Sequence, residues 1–407
     1  MKLIKKKNLI LNILNILFIL SLPMMPLFTR NGYYTLGLII VFFSFLIFIR
    51  NKIYLTSFEK MEIVFTICII GSILYSYNIG SSIDVLTKNI RIVLFSIATV
   101  RLSFILNKNI DISVYKVGKY FVIGTVIISI YIFFAEFGVR RINNRYGEIV
   151  FSKEYGTYIT YSYNLIISIC FIIYSYIFNC KIKKEKIKTF LLGSLIFIFI
   201  LLSGTRKAMI IPILFAIMIT FINARQNAIK IIKYVIISLI VLIIIYYTIM
   251  NVEIFYNFIG YRIESLLAVN SSIKDNSMME RILMRDYAWE LFLRNPVLGH
   301  GAGTFRDYFI QISGKYLYSH NNHLEILSGL GIIGYIVFYG WLINILSNLY
   351  KLIKEGDEIS IGFFSFILIQ IFLDYGTVSY NSEQYILIYC LAAMYYYCKK
   401  RYILIKD

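Results

Sequence analysis

The chain has three histidines, and all lie in or at the exit of one polar stretch of roughly residues 251–322: His300, His320 and His323. An imidazole with its ordinary pKa of about 6.5 can take a proton at neutral pH, so the natural chemistry is activation of a hydroxyl by a general base. The same stretch places Arg281, Arg285 and Trp289 four residues apart, one column on a helix. Arginine's planar, forked donors suit phosphate oxygens. Two compatible readings fit this column: an interfacial helix with its arginines on lipid headgroups, or a helix that turns Arg285 inward onto an anionic group. Leu283, Met284, Tyr287, Ala288 and Leu291 form an apolar stripe at helical spacing on the same segment.

Asn295-Pro296 stops that helix, and Gly299-His300-Gly301-Ala302-Gly303 follows. Such a run either turns the chain or brings backbone N–H groups to a phosphate, which makes Gly299 and Gly301 candidate binding positions. Ser319-His320-Asn321-Asn322-His323 then leads into an apolar helix, whose N-terminus favours anions. Gly329, Gly331 and Gly334 leave that helix a smooth face for close packing. A catalytic zinc needs about three protein ligands. His320, His323 and Glu325 could supply them, but no HExxH arrangement exists, and a base at His320 is the preferred reading. Glu325 either orients that base or caps the helix.

These residues need elements to hold them, and composition says which kind. Of the 407 residues, 59% are hydrophobic and 15% are charged, with a mean hydropathy of +0.74. A single soluble core stops growing at roughly 250–300 residues, whereas apolar runs of about 20 residues, each able to cross a bilayer, recur along this chain. The fold class expected is all-α: one polytopic membrane domain over 1–407 with about 12 transmembrane helices, and one large extracytoplasmic loop between helices 9 and 10. The spans fall at roughly 9–29, 33–49, 61–79, 89–106, 119–137, 157–179, 189–203, 207–222, 231–250, 323–349, 360–378 and 384–398. Basic Met1–Lys7 precedes an apolar run with no small-residue cleavage site, so a retained first helix is expected. The helices show no internal two-halves repeat.

The net charge of +19 is not a nucleic-acid signature, because Lys and Arg cluster beside the apolar runs. Lys5, Lys6 and Lys7 at one terminus and Lys399, Lys400 and Arg401 at the other put both termini in the cytoplasm. Of 41 basic residues, 24 fall on segments which that orientation makes cytoplasmic, above all Lys181–Lys188. Ser203-Gly204-Thr205-Arg206-Lys207 falls on the outer side despite its two cations. Arg140, Arg141 and Arg145 occupy another outer loop, where they either touch an anionic substrate or are simply solvated. The five cysteines form no disulfide framework: three lie inside apolar runs, Cys180 and Cys398 adjoin basic clusters, and no CxxC spacing exists.

His320, Asn321, Gly331 and Gly334 reproduce, with the required gaps, a signature of the O-antigen ligase-related family of bacterial membrane proteins. Arg285 to Trp289, Pro296 and the Gly-His-Gly-Ala-Gly run resemble the rest of that family's loop, and Ser203-Gly204-Thr205-Arg206 resembles its short Ser-Gly-[Ser/Thr]-Arg turn. The resemblance covers about 190–345, with 251–322 as the catalytic loop. It implies a membrane glycosyltransferase of the C type. Such an enzyme moves a glycan from undecaprenyl pyrophosphate to an acceptor hydroxyl at the outer face of the cytoplasmic membrane. The acceptor is lipid A-core for a ligase, in lipopolysaccharide biosynthesis. For a polymerase of O-antigen or capsule it is a growing polysaccharide.

The residues suit that chemistry. Pyrophosphate leaves readily once cations stabilise its charge, and Arg206 and Arg285 are the candidates. His320 is the candidate base on the opposite face, which implies inversion at the anomeric carbon. Arg281, Arg140, Arg141, Gly299, Gly301, Trp289, Asn321 and His323 are candidate substrate contacts, and Tyr308, Tyr316 and Tyr318 could stack on sugars. No Asp-x-Asp motif occurs, so neither metal nor cofactor is expected. Other classes of function would be a lipid-linked glycan flippase or transporter and a sensor. A transporter should keep its charges deep in the bundle, and a sensor leaves the His and Arg constellation unexplained.

Overall fold

The computed structural model describes residues 2–23, 37, 41, 55–107, 109–136, 158–179, 182–203, 205–225, 227–252, 256 and 276–406. Arg140, Arg141, Arg145 and most of the expected span at 33–49 lie outside the described residues, as does 257–275 of the long polar stretch. The described residues are helical, with no strand among them. In chain order the helices are α1 (Lys2–Ser21), α2 (Ser57–Ile73), α3 (Ile79–Leu106), α4 (Ile110–Ala135) and α5 (Tyr158–Tyr174), which a π-turn extends over Ser175–Asn179. There follow α6 (Lys183–Ser203), α7 (Arg206–Ala224), α8 (Ala228–Asn251), α9 (Asn276–Arg294), α10 (Phe305–Ser313), α11 (Asn322–Lys354), α12 (Glu358–Leu373) and α13 (Glu383–Lys406).

Six of these are long and apolar enough to cross a membrane: α3, α4, α6 and α11 over their full lengths, Thr160–Asn179 of α5 and its π-turn, and Lys207–Ala224 of α7. Ile10–Ser21 and α12 are shorter apolar helices. The chain is a helical membrane protein. Several helices outrun their apolar cores: α3 begins at Ile79 rather than near 89, and α4 at Ile110 rather than near 119. Hydropathy marks the stretch that fits in lipid, but a helix continues until its end N–H groups find other acceptors. Asn78 supplies them for Gly80 and Ser81, and Asn109 for Asp111 and Ile112. Thr56 and Glu59 cap α2 reciprocally.

The bundle interior holds a charge pair, and Arg101 does not reach out to a lipid interface. It lies buried at 6% exposure and clasps Glu59 with two bonds, Nε to Oε1 at 2.6 Å and Nη2 to Oε2 at 2.5 Å. Around it, Phe58 packs edge-on against Trp341 and Trp341 against Tyr389, which locks α2, α11 and α13 together.

Side-chain contacts sort the turns onto two ends. At one end Lys399 pairs with Asp111 and Asp357, Lys400 with Glu355, and Arg225 donates to the Ile353 carbonyl. The other end gathers the α2–α3 turn, the segment from α9 to α11, and the α12–α13 turn. Tyr77 N–H donates to the His300 carbonyl, Asn78 to Asp307, and Asn322 N–H to the Asp374 carbonyl. The turn between α6 and α7 joins this second end, because the Lys207 ammonium donates to the Gly376 carbonyl. The short basic turn and the histidine segment therefore share one end of the bundle.

Candidate functional site

His320 sits in the connection between α10 and α11, and the chain on both sides of it is pinned. Ser319 N–H donates to Glu325 Oε2 at 2.9 Å, and Ser319 Oγ donates to the Asn321 carbonyl at 2.9 Å. Asn321 is the N-cap of α11, its Oδ1 accepting the Leu324 N–H at 3.1 Å. Glu325 thus fixes the backbone ahead of His320 instead of touching its ring. Between these anchors His320 adopts φ 55°, the one positive φ at a non-glycine among the described residues. A left-handed residue of this kind costs on the order of 1–3 kcal/mol and persists only where its surroundings impose it.

Asn322 anchors the other side. Its Oδ1 accepts from the N–H groups of Ser379 and Tyr380, both at 2.9 Å, and its Nδ2 donates to Tyr339 Oη and Asp374 Oδ2. The buried Asp374 carboxylate accepts from Tyr339, Gln370 and Ser379 as well. This network clamps the start of α11 to the α12–α13 turn.

The three histidines differ in what their rings touch. His300 donates from Nε2 to the Leu291 carbonyl at 2.8 Å and receives the Tyr308 hydroxyl at Nδ1 at 3.3 Å, so it ties α9 to α10. His323 is hydrogen-bonded through Nδ1 to Tyr335 Oη at 3.1 Å, bonds to the backbone at Ile371, and stacks on Tyr339 at 4.6 Å. His320 lies against the Tyr318 ring at 4.1 Å, and neither ring nitrogen has a hydrogen-bond partner among the described residues. Burial first, then the Arg281 and Lys207 cations, push its pKa down to about 4, with Glu280 opposing weakly. The imidazole is therefore neutral at pH 7. Burial also pushes the Tyr318 phenol up to about 12, so it keeps its proton.

Around His320, then, the cations are Arg281 and Lys207. Arg285, half-buried one turn along α9, and the exposed Trp289 continue the expected column. Arg206 opens α7, but its side chain is outside the described residues. On its buried face α9 packs Met284, Ala288 and Leu291 against Phe305 and Phe309 of α10, while Leu283 is half exposed. The stripe is narrower than expected, because α10, which hydropathy did not reveal, covers only part of it.

The glycine run does different work from that expected of it. Gly299, Gly301 and Gly303 have φ of 72°, 105° and 74°. Their segment inserts into a break in α11 at Gly331, whose φ 64° and ψ −166° only glycine adopts readily. Opposite the break, His300 N–H donates to the Ser328 carbonyl and Gly301 N–H to the Gly329 carbonyl, both at 2.9 Å. Ile332 N–H donates to the Pro296 carbonyl at 2.8 Å. In an unbroken helix Ser328 and Ile332 would bond each other. The Gly299 N–H goes to the Asn295 carbonyl, so the N–H groups of Gly299 and Gly301 are engaged within the protein, not offered to phosphate. A Cβ at Gly331 would collide with the Val297 carbonyl. Gly331→Ala is expected to cost about 1–3 kcal/mol of stability and to release the 296–301 segment. Thermal unfolding in detergent and limited proteolysis of that segment measure both effects.

A cavity of about 740 Å³ lies elsewhere, between α4, α5, α6, α12 and α13, and includes neither His320 nor the cations around it. Its lining is mostly apolar, with residues such as Val122, Phe171 and Leu391, and its charged members are Asp111, Lys119, Glu185 and Lys188, with no histidine or arginine among them. Among the described residues no cluster of three His, Cys, Asp or Glu could hold a metal ion.

Sequence reasoning singled out His320 and Arg281 but passed over Lys207, Asn322 and Asp374. Lys207 was visible as half of a basic pair at a turn. Asp374 was visible as a lone acid closing an apolar run, although nothing in its neighbours announces Asn322 as its partner.

The O-antigen ligase family profile matches residues 191–339, from within α6 to within α11. No curated protein matches the chain. The matched segment contains Arg206, Lys207, Arg281, Arg285, the glycine run, His320 and the break at Gly331, while Asp374 lies beyond it. Residues 191–339 of this helical membrane protein are thus similar to the O-antigen ligase family.

Proposed function

We propose that the protein transfers a glycan from undecaprenyl pyrophosphate to an acceptor hydroxyl at the outer face of the bacterial cytoplasmic membrane, with His320 as base. The observation that carries this is the contrast among the histidines. Two have their rings tied to protein groups, whereas His320 is neutral, half-buried, without a hydrogen-bond partner among the described residues, and within reach of the Arg281 and Lys207 cations. A neutral imidazole can accept the proton of the attacking hydroxyl. The opposing face then loses pyrophosphate, whose growing charge Arg206, Arg281, Arg285 and Lys207 stabilise. Attack opposite to departure gives inversion. The bond formed is acceptor oxygen to anomeric carbon, the bond broken is anomeric carbon to phosphate oxygen, and the proton passes to His320.

The low pKa of His320 fits this order of events. A base held near 4 is weak while Arg281 and Lys207 crowd it. Donor pyrophosphate brings negative charge that offsets both cations, and the imidazole becomes a stronger base once the donor is bound. Neither step calls for a metal or cofactor. Arg140 and Arg141 remain candidate contacts for the glycan, and Trp289 for a sugar ring.

The same reading puts both termini in the cytoplasm and the His320 end of the bundle outside. It is supported by the shared location of the α6–α7 turn and His320, which the alternation of twelve spans requires. A cysteine introduced at exposed Ile312, in a background lacking the native cysteines, should react with an impermeant maleimide on intact cells. Labelling only after lysis would reverse the orientation.

Two acceptor classes fit, lipid A-core for a ligase and a growing polysaccharide for a polymerase. Glycan profiles of a host without the gene separate them. Long chains stranded on the lipid carrier mark a ligase, and single repeat units that never lengthen mark a polymerase. Precursor trapped on the cytoplasmic face would instead mark a flippase. That reading draws some support from Glu62, a buried carboxyl of α2 with no partner for either oxygen among the described residues.

A further inference from the structure

Tyr308, Tyr316 and Tyr318, the tyrosines expected to stack on sugar, all have ring contacts within the protein. Tyr308 stacks on Tyr77 at 4.2 Å. The Arg306 guanidinium of α10 lies over the Tyr316 ring at 5.8 Å and the Tyr318 ring at 5.6 Å. Tyr318 has a further neighbour that the other two lack. Its ring centroid lies 4.1 Å from that of His320, with the planes inclined by 35°. Among the described residues this is the one ring contact of His320.

The pair is set by the backbone between the two rings. Ser319 is buried, with its N–H on Glu325 Oε2 and its hydroxyl on the Asn321 carbonyl. His320 then takes φ 55°. Removing the Tyr318 ring therefore leaves in place the hydrogen bonds that hold this connection. The ring matters to His320 in two other ways. An imidazole with no hydrogen bond at either nitrogen is free to change rotamer unless a neighbour blocks it. A ring against it also displaces water, which disfavours the charged imidazolium. Burial is the first cause of the lowered pKa of His320, ahead of either cation. The phenol, pushed up to about 12, keeps its proton. Tyr318 thus acts on its neighbour by shape and not by charge. The charged groups within electrostatic reach of the pair are Arg281 and Glu280 of α9, Lys207 of α7, Arg306 of α10 and Glu325 of α11, and Tyr163 of α5 approaches Tyr318 as well.

We propose that Tyr318 is a positioning residue for the base, its ring excluding water from the side of His320 that it covers and fixing the direction in which the unbonded nitrogens point. The proposal rests on the reading of His320 as the base. It assigns the function to the aromatic ring, so phenylalanine should serve as well as tyrosine.

NMR titration of the full-length protein in detergent, with ring-labelled histidine, tests this. The chain has three histidines and therefore three ring signals. His320→Ala identifies the one of interest, and those of His300 and His323 report the fold. In wild type the His320 midpoint should lie near about 4. Tyr318→Ala should raise it by at least about one pH unit, toward the free value of about 6.5, and Tyr318→Phe should leave it where it was. In transfer assays Tyr318→Ala should lower kcat about 10–10²-fold with the donor KM kept, as a misdirected group does, and Tyr318→Phe should restore kcat. If the alanine variant loses the His300 and His323 signals, Tyr318→Leu takes its place, with a smaller rise in the same direction. An unmoved midpoint without the ring would overturn the proposal, as would a phenylalanine variant that behaves like alanine or a wild-type midpoint at the ordinary histidine value. A midpoint that moves as expected in a protein whose His320→Ala variant still transfers glycan would instead remove the base and leave the shielding by Tyr318 without a reaction to serve.

Discussion

His320→Ala is expected to lower glycan transfer by about 10²–10⁴-fold, the range a positioned general base supplies, while the protein still inserts and folds. The expectation follows from what the ring does not do. No described protein group bonds to either nitrogen, so truncation breaks no hydrogen bond of the fold, and the ring contact it removes is the one with Tyr318. His320→Gly separates the effects further: glycine relieves the positive φ of 55° and should be at least as stable as the alanine variant, yet equally inactive. The pH profile carries the same test. Protonation of His320 removes its function, and its pKa in the free protein is lowered to about 4. The acid limb of kcat/KM, which reports the free enzyme, should therefore fall near 4 and not near the ordinary histidine value. The acid limb of kcat should lie higher, because bound pyrophosphate offsets Arg281 and Lys207. Transfer by purified protein between about pH 3 and pH 8 measures both limbs.

Arg206→Ala is expected to reduce transfer about 10²–10³-fold, the cost of removing one stabiliser of developing negative charge, and Arg285→Ala to do likewise. Arg281→Ala should behave differently in a diagnostic way. Arg281 is the largest electrostatic contributor to the low pKa of His320. Its removal favours the imidazolium, so the pKa of His320 rises and the acid limb of kcat/KM moves up in pH. A loss of rate with no movement of that limb would separate Arg281 from His320. Arg281→Lys should restore the position of the limb but not the full rate, since an ammonium lacks the forked donors.

Much of this was legible in the sequence because it depends on spacing along one segment. The exit of the polar stretch, His320-Asn321 followed by Gly331 and Gly334, led to the family, and the break at Gly331 gives that spacing a physical meaning. The helix of α9 was readable from its apolar period. What escaped depends on pairings across the chain. Asn322 and Asp374 meet only because α11 and α12 pack together, and Lys207 approaches His320 only because two turns share an end of the bundle. The glycine run was read as a phosphate cradle from its local flexibility. Its partner is the opened helix around Gly331, a contact about thirty residues away along the chain. Hydropathy missed α10 because nine residues with a mixed surface carry no membrane signal.

The most direct test of the central claim is a single-turnover assay. Purified protein in a lipid bilayer receives an undecaprenyl-pyrophosphate-linked glycan and a hydroxyl acceptor, with wild type compared against His320→Ala and with the released carrier and the anomeric configuration of the product both measured. The account predicts stoichiometric release of undecaprenyl pyrophosphate, an inverted glycosidic bond, and neither from the variant. Full transfer by His320→Ala, or a product that retains the donor's configuration, would contradict it.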